Sequence, residues 1–487
     1  MNLSNATLDD LPKGIKRPTY DRTALTPGIV HIGLGNFHRA HQAWYLHRLM
    51  QLGRAQDWAI LGAGVRPYDA AMRDRLKVQD CLTTLIELDP KGQSAEVTGA
   101  MIDYIEIVEG NGPLITAMSR EEIRIVALTV TEGGYYVTAS GAFDSAHEDI
   151  QHDAENPDTP RTAFGAIVAA LKARRASGAG PFTLQSCDNL QGNGEVLRQT
   201  VVGLARLSDR DLAAWIEESC TFPNSMVDCI VPATGPKEIE LVQGLGIDDA
   251  APVTHENFRQ WVIEDTFCAG RPEWELAGAT FTDDVHSYET MKIRILNAGH
   301  QVLANAGEIL SLPTVASCMQ DADVAAFFAK VEKDCIVPYV HAVPGMEPGA
   351  YAELIAQRFS NPMIHDTVRR VAFDGSSRHT GFVLPILRDA LAAGGTIEGL
   401  ALVEALWARM CIGVREDGTN IEPNDPVWGA LSDAALAAKN EPAAWLAQEQ
   451  IYGDLGQNSA FVAAFDKWLT MLWADGTRAT LQAYLAG

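Results

Sequence analysis

Three polar residues on one short stretch have the types and spacing to act together: Lys292, Asn297 and His300, in Lys292-Ile-Arg-Ile-Leu-Asn297-Ala-Gly-His300. On a helix turning about 100° per residue, positions 292, 296 and 300 share a face and 297 lies three before 300, so the three fall in one broad stripe. An amine, a carboxamide and an imidazole opening an apolar domain are costly to bury without a purpose. The same spacing also suits a solvated polar face, and spacing alone does not separate the two readings. Glu289 sits one turn before Lys292. It fits a proton path to that amine, or a first-turn carboxylate favoured by the helix dipole.

A second set lies near the N-terminus. Gly33-Leu34-Gly35 ends an apolar run and precedes a helical pattern. Glycines there permit a tight turn and close approach of the backbone to a pyrophosphate lying on the next helix's N-terminus, with Asn36 and Phe37 opening that helix. The third glycine of G-x-G-x-x-G is absent and His38 holds its place, so the helix must stand further from the strand or the turn must differ. After the second strand, Asp69 is placed to bond the ribose hydroxyls of NAD, while Arg66 keeps a 2′-phosphate, and hence NADP, open. His38 and His41 read as helix packing, since no third ligand lies at a spacing that would make them a metal pair.

The elements that must position these groups are legible from period. GIVHIGLG (28–35), DWAILGAGV (57–65), IRIVALTVTEGGY (123–135) and PFTLQSCDN (181–189) are apolar runs separated by helical patterns, which predicts a mostly parallel sheet covered on both faces. From about residue 287 the segments are helical in period and rich in Ala and Leu. The expected fold is α/β, with a Rossmann-type N-terminal domain over 1–285 and a mostly α-helical domain over 286–487, and the site in a cleft between them.

Composition narrows the class. The chain has 487 residues, 38 Lys+Arg against 63 Asp+Glu and a net charge of −25, with 47% hydrophobic and 21% charged residues. That is a folded protein with room for two or more domains, and its acidity argues against nucleic acid or an anionic membrane as partner. The N-terminus lacks a basic stretch followed by an apolar core. The most apolar segment, GLALVEALWARMCIGV, carries Glu404 and Arg409 and reads as a buried helix. Eight scattered cysteines form neither a disulfide framework nor a zinc ribbon, so a reducing cytoplasm is the expected home. Cys187 and Cys229 have nothing basic beside them in sequence and read as small core residues.

GIVHIGLGNFHRAHQA, TVTEGGY, SCDNLQGNG, FPNSMVD and KIRILNAGH, in this order, make the chain similar to the long-chain mannitol dehydrogenase family of zinc-independent polyol and uronate dehydrogenases. FRQWVIED, GRPEW and RVAFDGSSR agree, and the likeness runs from about residue 25 to near the C-terminus. The resemblance implies metal-independent, NAD-dependent oxidation of a polyol to a ketose by a monomer, D-mannitol to D-fructose foremost. D-arabinitol or another polyol, or a uronate such as fructuronate or tagaturonate, is the alternative substrate. It implies Lys292 as catalytic base, Asn189 and Asn297 as holders of the reacting oxygen, and Asp228, His300 and Arg370 as contacts to substrate hydroxyls. Arg378 stands where many members have Lys, a planar fork in place of a point charge. Thr131 and Glu132 are expected near the nicotinamide ribose. The chemistry is coherent: an alcohol is too weak an acid to ionise unaided, and burial should bring a lysine down from about 10.4 towards neutrality, making free amine available as base.

Overall fold

Strands form where the apolar runs predict them. A computed structural model describes residues 1–138 and 141–487. Its strands are β1 (Pro27–Ile32), β2 (Ala59–Ala63), β3 (Thr83–Asp89), β4 (Gly92–Thr98), β5 (Met101–Tyr104), β6 (Ile125–Leu128), β7 (Thr183–Ser186), β8 (Ser225–Asp228), β9 (Val253–Glu256), β10 (Gln260–Glu264) and β11 (Thr280–Thr282). The central sheet has the order β5-β2-β1-β6-β7, all parallel, with β1 in continuous register against β6 and shifted by one residue against β2 between Pro27 and Ile29. From β1 the chain winds one way through β2 and β5, then the other way through β6 and β7. The switch point therefore lies beside the end of β1, where open α/β sheets bind their ligands.

Both faces of this sheet are covered, which is why its strands read as continuous apolar runs. The alternation of side chains divides them between two cores. Val30, Ile32, Val126 and Leu128 face Phe164, Ile167 and Leu171 of helix Ala163–Ser177 and Leu197, Val201 and Leu204 of helix Asn193–Ser208. Ile29 and Ile125 face Leu46, Leu49 and Met50 of helix Gln42–Gln51. Truncating a buried leucine in either layer, Leu46 for instance, should cost about 2–5 kcal/mol. Helix Ala163–Ser177 starts where the Thr162 hydroxyl accepts from the Gly165 N–H and stops at Gly178, whose φ is 79°. Two small sheets, β11-β10-β8 and β4-β3-β9, complete this part of the chain.

The described residues divide into two compact units, Met1–His286 and Ser287–Gly487. The second is helical. Helices Ala298–Ile309 and Glu398–Met410 are buried along nearly their whole length, and the latter packs on both the former and helix Ser459–Asp475. Glu398–Met410 is the apolar segment that carries Glu404 and Arg409, a central helix without a solvent face. Among the described residues, no helix is long and apolar enough to cross a membrane. Three stretches of the second unit are wound as π-helix: Lys292–Asn297, Glu332–Ile336 and His379–Val383.

Candidate active site

In the first unit the expected cofactor residues collect at the carboxyl ends of parallel strands. Gly33 follows β1 with φ +95°, and a Cβ there would collide with the Thr129 carbonyl, so both backbone shape and space require glycine. The helix behind the loop is only Asn36–Ala40. It breaks at His41 and resumes as Gln42–Gln51, where the sequence suggests a single helix. His38, in the third-glycine position, stacks on His31 of β1 with ring centroids 3.4 Å apart. The imidazole pair fills the gap that a glycine would have closed. His41 instead meets the Gln260 carbonyl at 2.8 Å and stacks on Phe37 at 4.8 Å. The Asn36 side chain is committed locally: its amide N–H groups donate to the Pro232 carbonyl and the Thr234 hydroxyl at 3.0 and 2.9 Å. Any contribution of Asn36 to an anion is therefore through its backbone N–H.

Asp69 follows β2. One carboxylate oxygen accepts the N–H groups of Val65 and Arg66 at 3.0 and 2.9 Å, shaping the turn that presents it. Arg66 donates to the Tyr136 hydroxyl at 2.9 Å and pairs with Asp149 at 3.4 Å. Its cation already has an acidic partner. Thr131 and Glu132 follow β6, both exposed, and Asn189 follows β7, also exposed. Asp228 closes β8, buried, opposite Gln260 of β10. The sequence gives no hint of the clip that joins these last two loops. The Asn193 amide donates to the carbonyls of Asp188 and Ser225 at 3.0 and 2.7 Å, and its oxygen accepts the Ser225 N–H. Burial pushes the Cys187 thiol well up, as befits a packing residue.

In the second unit, Lys292, Asn297 and His300 lie on one continuous helical run: Val285–Met291 α, Lys292–Asn297 π, Ala298–Ile309 α. Here the α-helical spacing needs correction. On a regular α-helix, residues five apart stand about 140° out of line. In an i→i+5 ladder the turn is wider, so the π stretch brings Asn297 round towards the face of Lys292, beside position 296. His300 follows within one α turn. Lys292, Glu289 and His300 are buried, and Asn297 is half-buried.

His300 stacks on Phe359 at 4.4 Å. Burial pushes its pKa down to about 3, against the raising effect of Asp366 and with the cations of Arg370, Arg378 and Arg358 adding to the fall, so the ring is neutral at ordinary pH. Arg370 makes a two-pronged pair with Asp366, four residues earlier in the chain, at 2.5 and 2.6 Å. Arg378 donates to the Val371 carbonyl at 2.8 Å. The segment carrying both arginines is fastened to helix Ala298–Ile309 at three points. Gln301 donates to the Val371 carbonyl at 3.0 Å, Asn305 meets His379 at 3.1 Å, and Glu308 pairs with Arg369 at 3.5 Å.

Comparison with known proteins agrees with this layout. The mannitol dehydrogenase Rossmann domain matches residues 27–276, and the mannitol dehydrogenase C-terminal domain matches residues 284–473. A mannitol 2-dehydrogenase of Cereibacter sphaeroides is 56% identical over 476 residues, spanning 98% of this chain and 100% of the relative. Among solved structures, the ternary complex of Pseudomonas fluorescens mannitol 2-dehydrogenase with NAD and D-mannitol matches with a TM-score of 0.87 and 38% identity over 100% of both chains. A D-sorbitol dehydrogenase in substrate-free form matches at 0.91 and 33% identity, over 99% of this chain and 100% of the other. With both family domains matched in order and full-length relatives well above 30% identity, the chain belongs to the mannitol dehydrogenase family.

Proposed function

We propose that the chain is an NAD-dependent mannitol 2-dehydrogenase, oxidising D-mannitol to D-fructose. The observation that carries the reading is the helical run bearing Lys292, Asn297 and His300, in a chain similar over its full length to a mannitol 2-dehydrogenase. The residues present suit the cofactor. Gly33 lets the end of β1 pass close against the Thr129 carbonyl, Gly35 leaves open space beside the loop, and Asp69 is held at the end of β2 by the N–H groups of its own turn. Gly33, Gly35 and the backbone of Asn36 and Phe37 would hold the pyrophosphate, Asp69 the adenosine ribose, and Thr131 and Glu132 the nicotinamide end. Arg66, paired with Asp149, is a poor receptor for a 2′-phosphate, which favours NAD over NADP. When bound, NAD supplies the acceptor for the hydrogen that leaves the substrate carbon.

The chain's own residues do the rest. Lys292, as neutral amine, takes the proton from the substrate hydroxyl. Asn189 and Asn297 donate amide N–H groups to the oxygen as it gains alkoxide character, each worth roughly 3 kcal/mol. Neutral His300, with Asp228, Arg370 and Arg378, orients the neighbouring hydroxyls, and Glu289 passes the proton from Lys292 towards solvent. In ketose reduction Lys292 returns the proton. The pairing of Arg370 with Asp366 favours a neutral polyol over a uronate, because a substrate carboxylate would face a cation already neutralised and an acid beside it. Eight cysteine thiols, seven of them buried, suit a reducing compartment such as the cytoplasm, where we take the chain to act as a monomer.

The test is turnover followed by nicotinamide absorbance, with NAD and NADP, against D-mannitol, D-arabinitol, D-sorbitol and D-fructuronate. The reading expects the highest kcat/KM for D-mannitol with NAD. Preference for D-sorbitol would move the chain towards its other structural neighbour, and preference for D-fructuronate would overturn the polyol assignment.

A further inference from the structure

Asp188, next to Asn189 in the chain, has no part in the steps above, yet its carboxylate accepts three hydrogen bonds at the sheet's carboxyl end. It is buried, and accepts the Val130 N–H at 3.0 Å, the Thr131 N–H at 2.9 Å and the Tyr135 hydroxyl at 2.6 Å. Its own N–H donates to the Ser186 hydroxyl at 3.3 Å, and that hydroxyl also meets Tyr135 at 2.6 Å. Its carbonyl accepts from Asn193. A single side chain thus ties the loop after β6 to the loop after β7.

What it holds is strained. Thr131 has φ +67° and ψ 161°, a region essentially reserved for glycine and worst for a β-branched residue. Such a conformation persists only where the surroundings over-determine it. Two successive N–H groups donated to one ionised carboxylate are a strong enough restraint to do so.

We propose that Asp188 is a positioning residue that forces the Thr131 backbone into its strained form and fixes it relative to Asn189, so that the cofactor loop and the oxygen-holding amide keep one register. The proposal rests on the reading of this region as a dehydrogenase site. It goes beyond that reading by predicting that one buried acid, whose carboxylate is committed to Val130, Thr131 and Tyr135, governs both cofactor affinity and the chemical step. Asp188→Asn keeps the shape but turns an amide N–H₂ towards a backbone N–H.

Wild-type turnover with NAD checks the underlying reading separately. Given that turnover, Asp188→Asn should raise the NAD dissociation constant, read by tryptophan quenching without substrate, and lower kcat, each by about tenfold or more. Tyr135→Phe, which removes one of the three donors, should move both quantities the same way by less. Adding Thr131→Gly to Asp188→Asn should restore part of the NAD affinity, since glycine adopts the required backbone unaided. A fall in melting temperature with NAD affinity and kcat unchanged in Asp188→Asn would overturn the proposal. So would a double variant no better than the single one. If Asp188→Asn does not fold, Tyr135→Phe decides, and wild-type values for both quantities would reject the role.

Discussion

Chemistry at the residue scale depends on which charges are already spoken for. Arg370 looks in the sequence like a cation offered to substrate, but Asp366 holds both prongs of its guanidinium. Asp366→Asn should release it, and kcat/KM for D-fructuronate relative to D-mannitol should rise by about tenfold, one electrostatic contact's worth. An unchanged ratio would mean that Arg370 does not face the substrate. Glu289 is buried one turn before Lys292. Glu289→Gln should leave NAD binding intact and slow proton release in stopped-flow transients with a pH indicator, and an unaltered transient would remove Glu289 from the proton path. Lys292, Asn297 and His300 stand out in the sequence as candidates by type and spacing, with the family resemblance separating them from a solvated polar face, and Gly33 stands out by its place after an apolar run. Asp188 does not stand out, because its partners Val130, Thr131 and Tyr135 lie more than fifty residues away in the chain, whereas Asp366 sits four residues before Arg370, a local spacing that acquires meaning only once the two side chains are seen to pair.

At the scale of elements, apolar runs and glycines carried the parallel sheet, since strands buried on both faces leave an unmistakable pattern. The break at His41 and the π-helix at Lys292–Asn297 left none: each is a slip of backbone hydrogen bonding with no residue type as its mark. That slip brings the asparagine round towards the face of the lysine. A second π stretch, His379–Val383, is pinned by a fully buried network. His379 meets Glu404 at 2.7 Å, Tyr452 donates to the other oxygen of Glu404 at 2.7 Å, and Trp445 donates to Tyr452 at 2.5 Å. Through Asn305 the same histidine reaches the helix that carries His300. Removing one partner of a buried hydrogen-bonded network leaves His379 and Tyr452 unsatisfied, so Glu404→Ala should lower stability in chemical denaturation by about 1–3 kcal/mol for each stranded group. A loss under 1 kcal/mol would show that the network is dispensable.

For the whole molecule, the charge of −25 says less than the buried histidines do. Burial holds His31, His47, His255 and His300 down to about 3, and His38 well below its usual range. Their folded pKa values lie below the unfolded 6.5, so the unfolded chain takes up protons that the folded chain refuses. Their contribution is full above about pH 6.5 and falls as pH drops towards 3, by about 1.4 kcal/mol per pH unit for each. Asp188, pushed up to about 6, and Glu332, pushed well up, act oppositely: they favour the fold at low pH and lose that effect as pH rises through their raised values. Five histidines outweigh two acids. The melting temperature should therefore fall steadily between pH 6.5 and 4.5 by calorimetry, and a flat profile would contradict these burial effects. The central claim is narrower: an amine on this helix removes the hydroxyl proton. Lys292→Ala, checked for an unchanged melting temperature and NAD affinity, is the direct test with NAD and D-mannitol. The account predicts that kcat/KM falls by about 10²–10⁴-fold, the usual worth of a general base, and turnover equal to wild type would contradict it.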